Sequence, residues 1–185
     1  MWELVAVIGA VLAVMALVLI HLARRLDRLH RKVVRLRSVL DAQLVRRAEA
    51  AAQLAATGAL DPASSVIVAD AAWDAAVRAP RLVGIEADDL SDAGVERGLS
   101  ESALSAVLRG ALGSEADREQ LRGRAEVAAE LDALAKASFR SHLARRFHND
   151  AVVAAQRLRR NRLVRLFRLA GNAAMPVTIE LDDDV

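Results

Sequence analysis

Residues 33–55 read VVRLRSVLDAQLVRRAEAAAQLA. Leu26, Leu29, Val33, Leu36, Leu40, Leu44, Ala48, Ala51 and Leu54 recur through and just before this stretch at steps of three or four. That spacing lines one face of an α-helix. No Gly or Pro interrupts residues 22–57, so the pattern predicts one unbroken amphipathic helix, which Gly58 ends. A stripe this long must be covered by other helices. Composition agrees: the chain is 54% hydrophobic but only 3% aromatic, with three Pro and no Tyr, which favours helix over sheet.

Toward the N-terminus, residues 4–23, LVAVIGAVLAVMALVLIHLA, carry no formal charge at neutral pH. At 1.5 Å per residue they rise roughly 30 Å, the thickness of a bilayer's hydrocarbon core. Trp2 stands at the outer end, where an indole suits the interface. Arg24, Arg25, Arg28, Arg31, Lys32, Arg35 and Arg37 follow the apolar run, with Asp27 the one acid among them. This asymmetry predicts a single-pass protein of the cell membrane, N-terminus outside and the remainder cytoplasmic. A cleaved signal peptide would carry its basic residues before the apolar run, and "HLARRL" is a poor cleavage site. A core helix that is apolar all round over this length is unusual in so short a chain.

Toward the C-terminus, Asp61 and Pro62 supply a cap and a first-turn proline, predicting a second helix to about residue 79 that carries Trp73. Residues 80–113 hold five Gly and the acids Glu86, Asp88, Asp89 and Asp92; they read as an irregular acidic tip, with a short helix capped by Ser100. The tip is expected farthest from the membrane. Ser114 caps a long helix with an expected core stripe of Leu121, Ala125, Ala128, Leu131, Ala135, Phe139, Leu143, Phe147, Ala151, Ala154 and Leu158. Near Arg159 the phase changes. Residues 161–171 form a separate basic amphipathic element, with Leu163, Val164, Leu166, Phe167 and Ala170 opposite Arg162, Arg165 and Arg168. Residues 172–185 are an acidic tail, expected to fray. The fold class is therefore all-α. A transmembrane anchor over residues 1–23 continues into an antiparallel long-helix bundle of about four helices over residues 24–160.

Two blocks point to a family. LDAQLVRRAEAAAQLA, residues 40–55, places Asp41, Gln43, Leu44, Arg46, Arg47 and Glu49 at a signature spacing. ARRFHNDAVVA, residues 144–154, adds Phe147, Asn149, Asp150, Ala151 and Val152. Together they resemble LemA family proteins, divergently. Ala52 stands where that family usually has Pro, and His148 where it usually has Tyr. The resemblance implies a membrane-anchored helical bundle with no established catalytic activity or cofactor.

An antiparallel return of the long last helix would bring its basic end back to the membrane. Trp2, Arg24, Arg25, Arg28, Arg162, Arg165, Phe167 and Arg168 are the expected membrane-interface residues, facing anionic lipid headgroups. Asp41, Arg46, Arg47 and Asp150 are the expected interhelical polar residues. Asp41 should lie near the level of residues 140–146 and Asp150 near Arg35 or Arg37, giving at least one interhelical carboxylate–guanidinium pair.

Chemistry is sparse. There is no Cys, which excludes disulfides and thiolate sites. His21, His30, His142 and His148 form no zinc-protease motif, and the acidic run lacks the spacing of a calcium loop. No catalytic, cofactor or metal residues are assigned. The basic stretches lack a nucleic-acid reading motif. The expected role is structural or scaffold-like, not enzymatic, with the membrane and an unidentified protein, a second copy included, as partners. The alternatives are an accessory factor or enzyme using the bundle's polar residues, and a membrane tether for nucleic acid.

Overall fold

A computed structural model of the protein describes residues 1–77, 89–171 and 173–182. They form α1 (Trp2–Ala56), α2 (Pro62–Val77), α3 (Asp89–Leu112), α4 (Glu115–Arg122), α5 (Ala125–Arg159) and α6 (Arg162–Leu166). There is no strand among the described residues. The all-α class and the antiparallel long-helix bundle hold. The 55 residues of α1 rise roughly 80 Å as one rod. Its first part projects alone, with residues 1–18 exposed throughout, and is long and apolar enough to cross a membrane.

The rest of α1 is the spine of the bundle. Its stripe is as the spacing predicts: Leu26, Val33, Leu40, Leu44, Ala48, Ala51 and Leu54 are all buried. The turn that ends it is built locally. Thr57 Oγ1 donates to the Leu54 carbonyl at 2.7 Å, and Gly58 takes φ +69, where a side chain would strain the backbone. The Asp61 carboxylate then accepts from the amides of Ala63 and Ser64, at 3.1 Å each, which caps α2. Helix α2 folds back along α1, α3 returns beside them, and α5 runs back toward the span. One core joins residues 48–55 of α1 to Val68, Ala72 and Ala75 of α2, Leu104 and Leu108 of α3, and Leu131 and Leu134 of α5.

Five expectations are corrected. The helix begun at Ser114 is two. Ser114 and Asp117 form a reciprocal capping box, but the chain turns at Gly123 and the extended Arg124 before α5 starts. Ser100 is no cap; it lies inside α3, its hydroxyl bonded to the carbonyls of Glu96 and Arg97. The end farthest from the span is made not by the acidic start of α3 but by Ala59, Leu60 and Asp61 together with Gly113, Asp117, Leu121 and Arg124, which line one crevice. Residues 80–88, with Glu86 and Asp88, lie outside the described residues, as does the expected end of α2 at 79.

The core face of α5 is also rotated from the expected stripe. Leu131 and Ala151 are buried, but Phe139 and Phe147 are 66% and 53% exposed. Val127, Leu134, Ala137, Ser141, Ala144, His148, Val152 and Ala155 take the inner face instead.

The tail, finally, does not fray over residues 173–182. It lies extended against α5 and α3. Asn149 holds Ile179 through both backbone groups, at 3.0 and 3.1 Å. Gln156 donates to the Pro176 carbonyl at 2.8 Å. Ile179 is buried between Leu40, Leu44 and Ala144. Helix α3 tolerates Gly98 because the tail passes there: a Cβ would collide with the Glu180 carbonyl oxygen.

Candidate functional site

Two assemblies gather the chain's polar chemistry. The first lies inside the bundle, where α1, α3 and α5 meet. Arg47 of α1 has no exposed surface. Its Nη1 lies 3.3 Å from Glu101 Oε2, and its Nη2 donates to Ser105 Oγ at 2.6 Å. Arg97 Nη2 lies 2.9 Å from Glu101 Oε1. One carboxylate thus sits between two guanidiniums, both buried. Nearer the span along α1, the Arg37 guanidinium donates to Asp41 at 3.2 and 3.3 Å, and His148 of α5 is buried beside them.

Burial dominates the electrostatics. It pushes the Glu101 carboxyl up to about 7, against the pull of Arg97 and Arg47. Burial likewise raises Asp41, against its Arg37 partner. It lowers His148, and the nearby Arg37 charge acts in the same direction. Each acid or base is pressed toward its neutral form, while the guanidiniums supply the charge that keeps the carboxylates in place.

The tail closes this cluster. The Ser105 hydroxyl lies 2.5 Å from the Asp182 carbonyl, the Asp182 amide donates to Ser102 at 3.0 Å, and Arg109 pairs with the Asp182 carboxylate at 2.7 Å. Arg47, Arg97 and Glu101 are fully buried, so a substrate has no route to them in this conformation. What the cluster can do is fix the register of α3 against α1, because any slip strands buried charge. Among the described residues no group of three or more His, Asp or Glu is placed to hold a metal ion.

Among the expected interhelical residues, Arg47 alone bonds across helices in this way. Asp41 pairs within its own helix, and Arg46 and Asp150 are exposed. Neither expected pairing, at Asp41 or at Asp150, is found between α1 and α5 among the described residues; the interhelical carboxylate–guanidinium pair described is Arg47–Glu101, between α1 and α3. Reading the sequence missed Arg97, Glu101 and Ser105. Their signal was an Arg and a Glu four apart in a segment otherwise rich in Gly, Ser, Ala and Leu.

The second assembly is the base of the bundle. Arg24, Arg25 and Arg28 are exposed on α1, directly after the apolar stretch. Helix α6 returns to this level. A small crevice is lined by Ala23, Leu26, Asp27 and His30 of α1 with Arg159, Leu169, Ala170 and Ala173. Asn161 caps α6, accepting from the Leu163 amide at 2.9 Å, and Val164 is buried. Arg162, Arg165, Phe167 and Arg168 are exposed, and so is Leu166. Trp2 is exposed at the far end of α1. The basic residues of α1 and α6 therefore share one end of the bundle, next to the apolar rod.

No protein-family model, curated protein or solved structure matches the chain.

Proposed function

We propose that this is a single-pass, LemA-like protein of the cell membrane. Residues 4–23 anchor it with the N-terminus outside, and a cytoplasmic helical bundle serves a structural, scaffold-like role without catalysis of its own. The observation that carries this reading is the fully exposed apolar rod that runs into a bundle whose basic residues gather at its foot. Nothing among the described residues covers residues 1–18, and a bare apolar surface of that length belongs in lipid. Seven basic residues follow it, and α6 with the turn after it adds Arg162, Arg165 and Arg168 with Leu166 and Phe167 beside them. That composition suits anionic headgroups, at about 1 kcal/mol per basic residue near the surface.

The absence of cysteine makes the test direct. Ala129 is exposed on α5. With Ala129→Cys as the single thiol, a membrane-impermeant maleimide should label the chain only after lysis. Labelling in intact cells would place the bundle outside and overturn the orientation. Recovery of the chain in the soluble fraction would overturn the anchor itself. For the foot, Phe167→Cys carrying an environment-sensitive dye should blue-shift in anionic nanodiscs relative to neutral ones. Identical spectra would remove α6 from the interface.

A further inference from the structure

We propose that the bundle binds a second copy of itself head to tail, the outer face of α2 in one copy docking on the outer face of α5 in its neighbour. This rests on the membrane-anchored reading above and gives the unidentified partner a surface. Helix α2 carries large apolar residues on its outer side as well as its inner one. Val68, Ala72 and Ala75 face the core, while Val66, Ile67, Val77 and Trp73, the last 71% exposed, face outward. One copy of the chain covers only the inner of these two apolar faces, and an exposed apolar face of this kind marks an interaction surface. Helix α5 has the matching surplus. Its small residues face α1, and Phe139, Leu143 and Phe147 stand in a row on the outer side.

Charge selects the pairing. Helix α2 contains no basic residue, and its outer stripe carries Asp70. Residues 133–149 of α5 contain no acidic residue, and Lys136, Arg140 and Arg146 are exposed around the phenylalanines. Joining two α5 faces, or two α2 faces, would oppose like charges; joining α2 to α5 opposes unlike ones. Height agrees as well. Residues 48–55 of α1 pack on both Ala72 and Ala75 of α2 and Leu134 and Ala137 of α5. Trp73 and Phe139 adjoin those contacts, so copies held by identical anchors present them at about the same height. Both helices run antiparallel to α1, so they would dock parallel, with Arg140 able to lie over the Trp73 indole. Unlike faces make a heterologous contact, which extends into a ring or a row of copies in the membrane plane.

Full-length Trp73→Cys and Phe139→Cys chains, each with one thiol, provide the test. They are treated with a short bis-maleimide, separately and co-expressed. The expected result is a cross-linked dimer from the mixture and little from either chain alone, with a ladder of higher products from the double variant. Asp70→Arg should lower the mixed product about tenfold, and adding Arg140→Asp to the other chain should restore it. Dimers from either single variant at the yield of the mixture, or no product at all, would overturn the proposal. The reaction is read in membranes and in detergent. Loss of anchoring, seen as soluble chain, is thereby distinguished from loss of pairing, seen as missing product.

Discussion

Helices α1 and α5 lie along each other for most of the bundle, yet they meet by opposite means. Beyond the span, α1 buries its large residues: Leu40, Leu44 and Leu54 have no exposed surface. Over its middle, helix α5 buries small ones, Ala137, Ser141 and Ala144, and turns Phe139, Leu143 and Phe147 outward; its larger buried residues, Val127, Leu131, Leu134, His148 and Val152, lie to either side. Interiors are close-packed. A face already filled by leucines and by the Arg37 and Arg47 side chains leaves room opposite residues 137–144 for little more than methyl groups and hydroxyls. The two stripes of α5 have the same helical period, so hydrophobicity alone selects the larger one. Volume against α1 selects the smaller one, and the smaller one is inside.

The comparison breaks most readily at the charged centre of the α1 face. Arg47→Ala leaves Glu101 buried between lost and remaining partners. It should destabilise the chain by about 3–5 kcal/mol, read as loss of helical circular dichroism in denaturant with the full chain in detergent. The apolar part of the contrast comes next. Leu44→Ala on α1 should cost about 2–5 kcal/mol, whereas Phe139→Ala on α5 should stay within about 0.5 kcal/mol in the isolated copy. Equal costs would mean that Phe139 belongs to the core after all. Enlarging α5 sharpens the point: Ala144→Leu should overpack against Leu40 and Leu44 and cost about 1–3 kcal/mol, while Ala135→Leu, on the exposed side, should change little.

The same contrast separates what was legible in the sequence from what was not. The stripe of α1, its stop at Gly58 and the Asp61–Pro62 restart are local signals: spacing, a left-handed glycine and a cap. Ser114 was equally legible as a cap, but Gly123, which divides α4 from α5, sits in a segment of good helix formers that hid the turn. The face of α5 depended on what lies across from it, and no local pattern holds that information. Arg97 and Glu101 look like surface residues until α1, α3 and the tail close over them. The tail itself is held largely by side chains of other elements bonding its backbone, at Asn149, Gln156 and Ser102, and backbone groups leave no mark on a sequence. Arg24, Arg25 and Arg28 at the foot were legible because a charge next to an apolar run is itself a local pattern.

The last effect concerns protons, and its sign follows from which form burial favours. Glu101 is raised to about 7 from an ordinary carboxyl value of about 4.3. Between those values the folded chain holds more proton on this group than the unfolded chain does, so its contribution to stability falls as pH rises through that window. The slope is at most about 1.4 kcal/mol per pH unit. Asp41, also raised, adds the same sign starting from more acid pH. His148 is lowered and opposes them, its contribution being lost as pH falls below its unfolded value. Glu101→Gln removes only the first term. The stability of that variant relative to the native chain should therefore move in the variant's favour between about pH 5 and about pH 8, measured as melting temperature in one detergent. A constant difference across that interval would mean that Glu101 stays ionised in the fold, with its two arginines outweighing its burial, and the centre of the bundle would then be a permanent ion cluster rather than one that losing a proton loosens.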